Sequence, residues 1–518
     1  LDQDELIREG LDQKNIEFIQ QEILSFSEIQ RKILKYAALF KSPFDYRLLA
    51  ASSAISKINV LKELKKLVDK KYFVPDTKST YHFKNNEIKS ILSKQIPPSD
   101  QLCLHLAIAN QIAEQGFFSN AEKNFLLAYH YSRSSEKYRA YPFLIEAADI
   151  ALKNFAFLEA HDLYRQAINL EFTEPRQKQR LHVLMQAAWL NRVLGFYGQS
   201  IKNCKMALSV HGKTAQDRTT SLIRIQMGFT YFRLNKWQVA QTNFLYCLER
   251  IDMLQSFEKS MVLYGLGNIS FELGNYDEAQ QSYDKALHFA NESQDKSLIA
   301  LILNNLGAVA NVMGNTLKAI ALYSQAIPLY KQTHDDSGLA KIYNNIGITY
   351  SDENDWEQAN QFFGKSLSVT GMMGLAPLKS ITFLNRALAL THLDEIKEAR
   401  EYSFKAIRLL ENLNDKLGVA EYYKIQGIIE AKDQNWDASD RQFIKAAEIF
   451  RKFSNELGYA ETLLEWGISV LYRKRNDDAI KLIRKAHRLF TEMNVAKKAT
   501  IAFDYLNKIG QKELVGNQ

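Results

Sequence analysis

The chain has 518 residues with 22 glycines, 8 prolines, 46% apolar and 24% charged residues, too few turn formers for a loop-rich β protein and too apolar for a disordered, collagen-like or mucin-like one. No apolar run, Leu298 to Leu303 included, approaches the ~18–20 residues of a membrane span, and the opening residues are acidic rather than signal-like. The net charge of +7 is concentrated: residues 27–96 hold 15 Lys+Arg against 6 Asp+Glu, a net of +9, and residues 1–26 hold 2 against 7, a net of −5.

In chain order, residues 1–26 read as an acidic linker helix, and the start at Leu1 rather than methionine leads us to expect a fragment of a longer polypeptide. Ser27 to Leu39 has the apolar spacing of an amphipathic helix, and Tyr46 to Ala51 that of a short second one. Lys57 to Lys70 forms a third, with Val60, Leu61, Leu64, Leu67 and Val68 as its apolar positions. The period then drops to two: Tyr72 to Val74 and Tyr81 to Phe83, separated by a turn at Pro75 to Ser79, predict a β-hairpin, and Asn86 to Lys94 a further helix. Three helices and a hairpin are the parts of a winged helix, expected over 27–96. Lys57, Lys62, Lys65, Lys66, Lys70 and Lys71 cluster on or beside its third helix, where a DNA-binding regulator would place its recognition surface. That helix has no arginine and, of amide side chains, only Asn59. It is poorly equipped to read base edges, so nucleic acid is not the expected partner.

Beyond residue 97 the sequence repeats. A small residue recurs at Ala121, Ala160, Ser200, Ala240, Ala279, Ala319, Ala359, Ala399, Ser439 and Ala479, at intervals of 39 or 40. Twelve residues before each stands a second small residue, from Ala109 through Gly267, Gly307 and Gly347 to Gly467, and seven after each a third, such as Ala286 and Ala326. Three before the marker an aromatic is frequent, as Tyr276, Trp356 and Trp436. Small residues in this phase let two antiparallel helices approach closely, with the aromatic expected to fill the gap beside them. Residues 97–491 are therefore expected to form ten helical hairpins. Pro328 should kink one of the second helices, and the Gly371 to Gly374 stretch reads as a helix end. Residues 492–518 read as a capping helix and polar tail, with Ile501, Leu506 and Ile509 toward the array and Lys497, Lys498 and Lys508 in water.

This phase resembles the tetratricopeptide repeat, whose usual period is 34, with the extra residues lengthening the helices. The resemblance covers roughly residues 100 to 490 and implies an all-α fold in which hairpins stack into a right-handed superhelix with a concave groove. Ahead of it, Ile33, Leu34, Ala37 to Phe40, Phe44, Leu48, Leu49, Leu61, Leu64, Leu67, Val68 and Tyr81 to Phe83, continuing through His105, Ile108 and Ala109 into Ala128 to Tyr131, resemble the winged helix and first repeat of signal-transduction ATPases. The family includes the ATPase halves of soluble-type adenylyl cyclases and the maltotriose-responsive transcription activators. It often has histidine two residues after the hairpin phenylalanine, and this sequence has Asn85. The resemblance implies a possible upstream nucleotide-binding domain in the same polypeptide.

Chemical motifs are weak. Ala207 to Thr214 satisfies a relaxed Walker A pattern, but no strand precedes it and repeat phase already ends a helix at Gly212. The ten histidines show no metal-ligand spacing, and Cys103, Cys204 and Cys247 are too few and too far apart for a disulfide framework or a four-cysteine zinc site. The cysteines read as small core residues in a reducing compartment. Acid pairs such as Asp335 and Asp336 sit where helix starts need caps. We therefore expect no catalytic, cofactor or metal site, and a cytoplasmic, non-catalytic chain with no membrane partner.

The informative constellation is polar. Two residues before the small residue of each first helix stand Gln186, Gln226, Gly265, Asn305, Asn345, Asn385, Ile425 and Glu465, and one residue earlier Asn304 and Asn344. In tetratricopeptide arrays this position lines the groove, and the run resembles the asparagine ladder of arrays that bind extended peptides. A side-chain amide offers both donor and acceptor, so a row of them can pair with any peptide main chain. The expected partner is a protein or extended peptide held by Gln186, Gln226, Asn304, Asn305, Asn344, Asn345 and Asn385. The expected role is a sensor and scaffold of a signalling protein; a small-molecule-sensing solenoid of a transcription regulator is the alternative.

Overall fold

The computed structural model describes residues 19–516 apart from 20, 42, 115, 117, 171–176, 213–215, 371–375 and 494. Most of the expected helix over 1–26, Lys213 and Thr214 of the Walker-like string, and the Gly371 to Gly374 stretch lie outside the described residues. The chain divides into two compact units, 1–230 and 231–518.

In the first unit, α1 (Glu28–Leu39) starts with a capping box in which the Ser27 side chain accepts from the Gln30 backbone N–H and Gln30 returns its side-chain oxygen to the Ser27 N–H. Ile33, Leu34 and Ala37 of α1 share a core with Leu48 and Leu49 of α2 (Tyr46–Ser53) and with Val60, Leu64 and Leu67 of α3 (Lys57–Asp69). Leu61, an expected core position, is 38% exposed. α1 and α3 are also joined by the Gln30 amide, which donates to the buried Glu63 carboxylate at 2.9 Å. The same carboxylate takes Lys66 at 2.7 Å.

The expected hairpin is present as β2 (Phe73–Pro75) and β3 (Thr80–Phe83). A third strand, β1 (Phe44–Asp45), completes an antiparallel sheet of order β1-β3-β2; two residues are too short for a strand period to register in sequence. Asn85 caps α4 (Asn86–Lys94) by accepting from the Glu87 N–H, a helix-capping role at the position where the resembled family often has histidine. Phe26 packs edge-on against Tyr72 at 5.2 Å and the Tyr72 hydroxyl donates to Glu22 at 2.8 Å, so residues 22–26 belong to this body.

Helical hairpins follow. The first pairs Pro98–Glu114 with Asn120–Tyr131, the next Tyr141–Lys153 with Phe157–Ile168, and a third Gln177–Val193 with Tyr197–His211. In the second unit the pattern becomes regular. Lys296–Val312 and Thr316–Gln332 have 17 residues each, and the three-residue turns between them and before Asp336–Asp352 complete the 40-residue period. The lengthening over 34 thus resides in the helices, as expected. The helix containing Pro328 runs unbroken from Thr316 to Gln332.

The small-residue phase has a direct cause. A Cβ on Gly307 would lie 2.4 Å from Tyr323, one on Gly267 2.7 Å from Tyr283, and one on Gly347 2.5 Å from Phe363. The aromatic that occupies the gap therefore stands four residues after the marker. The aromatic three before it, Tyr276, Trp356 or Trp436, instead begins the second helix. Tyr283, Tyr323 and Phe363 are 1% exposed, and burying such a ring contributes roughly 1.5–3 kcal/mol. Helix starts are capped in phase: Asp295, Asp335, Asp415 and Asn455 accept from the N–H three residues on.

Cys204 and Cys247 are buried as expected, whereas Cys103 is exposed. In the last helix, Ala496–Gly516, Ile509 is buried and Leu506 packs against the core as expected, Ala502 is buried beside them, and Ile501, also expected there, is 40% exposed. Lys497 and Lys498, expected in water, are ion-paired, with Glu353 at 3.1 Å and with Glu461 respectively. Among the described residues no helix is long and apolar enough to cross a membrane.

Candidate functional site

The expected row is split between the two units. In the first, Gln186 is half-buried, and the Gln226 side-chain oxygen is buried with no hydrogen-bond partner among the described residues. In the second, the first helices Ser256–Glu272, Lys296–Val312, Asp336–Asp352 and Ala376–His392 place their amides side by side. Here the asparagines bond from one hairpin to the next.

Asn305 is the most engaged. Its Nδ2 donates to Asn268 Oδ1 at 2.9 Å and lies 3.3 Å from the hydroxyls of both Tyr264 and Tyr283. Its Oδ1 accepts from Asn304 Nδ2 at 3.2 Å. Tyr283 itself donates to Asn268 Oδ1 at 2.7 Å. One and two steps further on, Asn345 Nδ2 donates to Asn304 Oδ1 at 3.0 Å and Asn385 Nδ2 to Asn344 Oδ1 at 3.1 Å, where Thr382 also donates. Asn304 and Asn344 are buried at 7% and 5% exposure; Asn305, Asn345 and Asn385 are half-buried.

An amide has two N–H bonds and one carbonyl. Asn345 and Asn385 each spend one N–H on the neighbouring hairpin, and the Oδ1 of each accepts no hydrogen bond among the described residues. Each therefore retains a donor and an acceptor, the pair a peptide bond needs. Asn305 has its Oδ1 and its Nδ2 committed within the protein. The tyrosines of this network are held neutral: burial raises the pKa of Tyr264 and of Tyr283, so both act as hydroxyls rather than phenolates.

Past Asn385 the face changes to charge. Lys424, at the register of Asn304 and Asn344, is buried and pairs with Glu421 at 2.7 Å and Glu461 at 2.6 Å, and Glu461 also takes Lys498. Burial alone would lower the Lys424 pKa, but the two carboxylates more than offset it and hold the ammonium charged. Burial opposes ionisation of Glu461 as well, and Lys424 and Lys498 override it. This cluster, with Tyr264, Asn268, Tyr283 and Thr382, escaped the sequence reading. The polar residue types at groove register were its one available signal.

The first unit carries a different polar contact. His105 and His130 face each other through Nδ1 atoms 3.0 Å apart, both buried, with Phe40 edge-on to His130 at 5.8 Å. One ring must donate and the other accept. Burial, helped by nearby Arg133, lowers the His105 pKa to about 4, and burial lowers that of His130 as well.

Two segments match tetratricopeptide-repeat family models, residues 260–293 and 298–370. No protein of curated function matches the sequence significantly. Among solved structures, the chain is similar to a signal-transduction ATPase with numerous domains carrying a tetratricopeptide-repeat sensor, from Pyrococcus horikoshii. Identity is 14% and the TM-score 0.49, over 87% of this chain and 68% of that one. It is also similar to aspartyl phosphate phosphatase F from Bacillus subtilis, at 12% identity and TM-score 0.48 over 72% and 95% of the two chains. The quorum sensor NprR from B. thuringiensis gives 11% and 0.45 over 64% and 98%. Likeness of this degree fixes neither ligand nor activity. The matched segments coincide with the hairpins whose glycines seat Tyr283, Tyr323 and Phe363, and there the chain is made of tetratricopeptide repeats.

Proposed function

We propose that the chain is a non-catalytic sensor and scaffold of a cytoplasmic signalling protein, holding a partner as an extended peptide along the first-helix face of residues 256–392. Residues 97–491 act as the repeat array in this reading. Residues 27–96 act as a winged helix that relays occupancy to a nucleotide-binding domain of the same polypeptide, and 492–518 close the array. The observation that carries the reading is the pair Asn345 and Asn385. Each is locked to its neighbour through one N–H, which fixes its orientation, and each keeps a carbonyl and a second N–H for a ligand. Fixed amides pay little ordering cost on binding, and they accept any side-chain sequence while demanding an extended main chain.

The test is a display of random 12-residue peptides against the whole chain, with binders titrated against an N345A/N385A variant. Losing two paired contacts at ~0.5–1.5 kcal/mol each predicts a drop of about one to two powers of ten. Unchanged affinity in a folded variant would overturn the proposal.

A further inference from the structure

The row that runs through Gly265, Asn305, Asn345 and Asn385 continues at the same 40-residue step to Ile425 and Glu465. Ile425 is buried at 3% exposure and supplies an apolar step. Glu465, on the helix Glu456–Tyr472, forms no hydrogen bond or ion pair among the described residues, although the four other charged groups of this cluster, Glu421, Lys424, Glu461 and Lys498, are paired with one another. Lys424 and Lys498 are both taken by Glu461, and Lys424 also by Glu421. The group thus counts three carboxylates against two ammonium groups, one positive charge short. Lys498 reaches in from a separate helix to bond Glu461.

We propose that Glu465 is the cation-recognition subsite of this groove, taking the lysine ammonium or arginine guanidinium of the bound peptide; the inference rests on the peptide-binding reading above. Burial, with Glu461 adding to it and Lys424 and Lys498 opposing it, raises the Glu465 pKa above its ordinary value. Tyr505 of the last helix is a further titratable neighbour, its pKa raised by burial and by Glu465. Successive first helices in contact lie ~8–10 Å apart, so two steps from Asn385 to Glu465 span about 16–20 Å. At ~3.3–3.6 Å per extended residue, the cationic residue stands about five or six positions from the segment paired to Asn385.

The experiment uses the random 12-residue peptide display on the whole chain. Binders are resynthesised with each lysine or arginine replaced by norleucine, then titrated against wild type, E465Q and N345A/N385A. One norleucine replacement should cost at least tenfold on wild type and almost nothing on E465Q, since the charge partner is already gone. If the norleucine penalty persists on E465Q, or the binders carry no common cationic position, while N345A/N385A still abolishes binding, this inference fails and the peptide groove stands. If N345A/N385A binds as wild type, or no peptide binds, the groove itself fails and the subsite with it. Because the norleucine series alters only the peptide, the comparison on wild type holds whatever the variants do to folding.

Discussion

Replacing Asn305 by alanine separates ladder residues that build the protein from those left for a ligand. The sequence pattern alone expects alanine at 305, 345 and 385 to be neutral or stabilising, because alanine is the better helix former by up to ~0.7 kcal/mol. The hydrogen bonds divide the three. At 305 the substitution removes the donor to Asn268, the shared contacts with Tyr264 and Tyr283, and the acceptor of the buried Asn304 amide. Counting about three net bonds at ~1 kcal/mol each and subtracting the propensity gain leaves a loss of about 2 kcal/mol. At 385 one bond is lost, and its acceptor, Asn344 Oδ1, keeps Thr382, so the same arithmetic gives a change near zero. Asn345 falls between. Amide hydrogen exchange over Ser256–Glu272 and Lys296–Val312, with urea unfolding of each variant, reads the order directly. Equal effects at 305 and 385, or a neutral N305A, would refute the assignment of Asn305 to the structural side of the network.

Two further outcomes follow from buried contacts. Gly307→Ala places a methyl 2.4 Å from the Tyr323 ring, which is 1% exposed; the cost should be ~1–3 kcal/mol, read as a lower melting temperature, while Ala387→Gly at the equivalent register should not relieve anything. The second concerns pH: with a folded-state pKa of about 4 for His105 against 6.5 unfolded, the unfolded chain binds the extra proton between those values. Stability is therefore full above about pH 6.5 and falls as pH drops toward 4, by up to ~3 kcal/mol. His105→Phe should flatten that limb of the urea-midpoint profile, and an unaltered limb would place the acid sensitivity elsewhere.

The period, the hairpins and the small-residue phase were legible because each is a pattern of residue size along one helix face, and size is what close packing selects. The helices α1, α2 and α3 and the strand pair β2 and β3 were legible through a change of apolar period from helical to alternating. β1 was not, since Phe44 and Asp45 pair with β3 through backbone groups that every residue carries. The gap-filling aromatic was misplaced because both candidate positions lie on the second helix, three before and four after the marker. Only the backbone geometry decides that Phe363 rather than Trp356 reaches Gly347.

Side-chain partnership is the other thing the pattern withholds, and it governs function here. Asn305, Asn345 and Asn385 are the same residue at the same register, so nothing in the row distinguishes them. What separates them is the neighbouring hairpin: Tyr264, Asn268 and Tyr283 surround Asn305, while Asn345 and Asn385 meet one asparagine carbonyl each. A repeat therefore specifies where a binding group stands, and the departures from the repeat next to it specify whether that group is spent on the fold or kept for a partner. By the same logic Lys424, a departure at the Asn304 register, uses up Glu461 and leaves Glu465 as the unspent charge of the row.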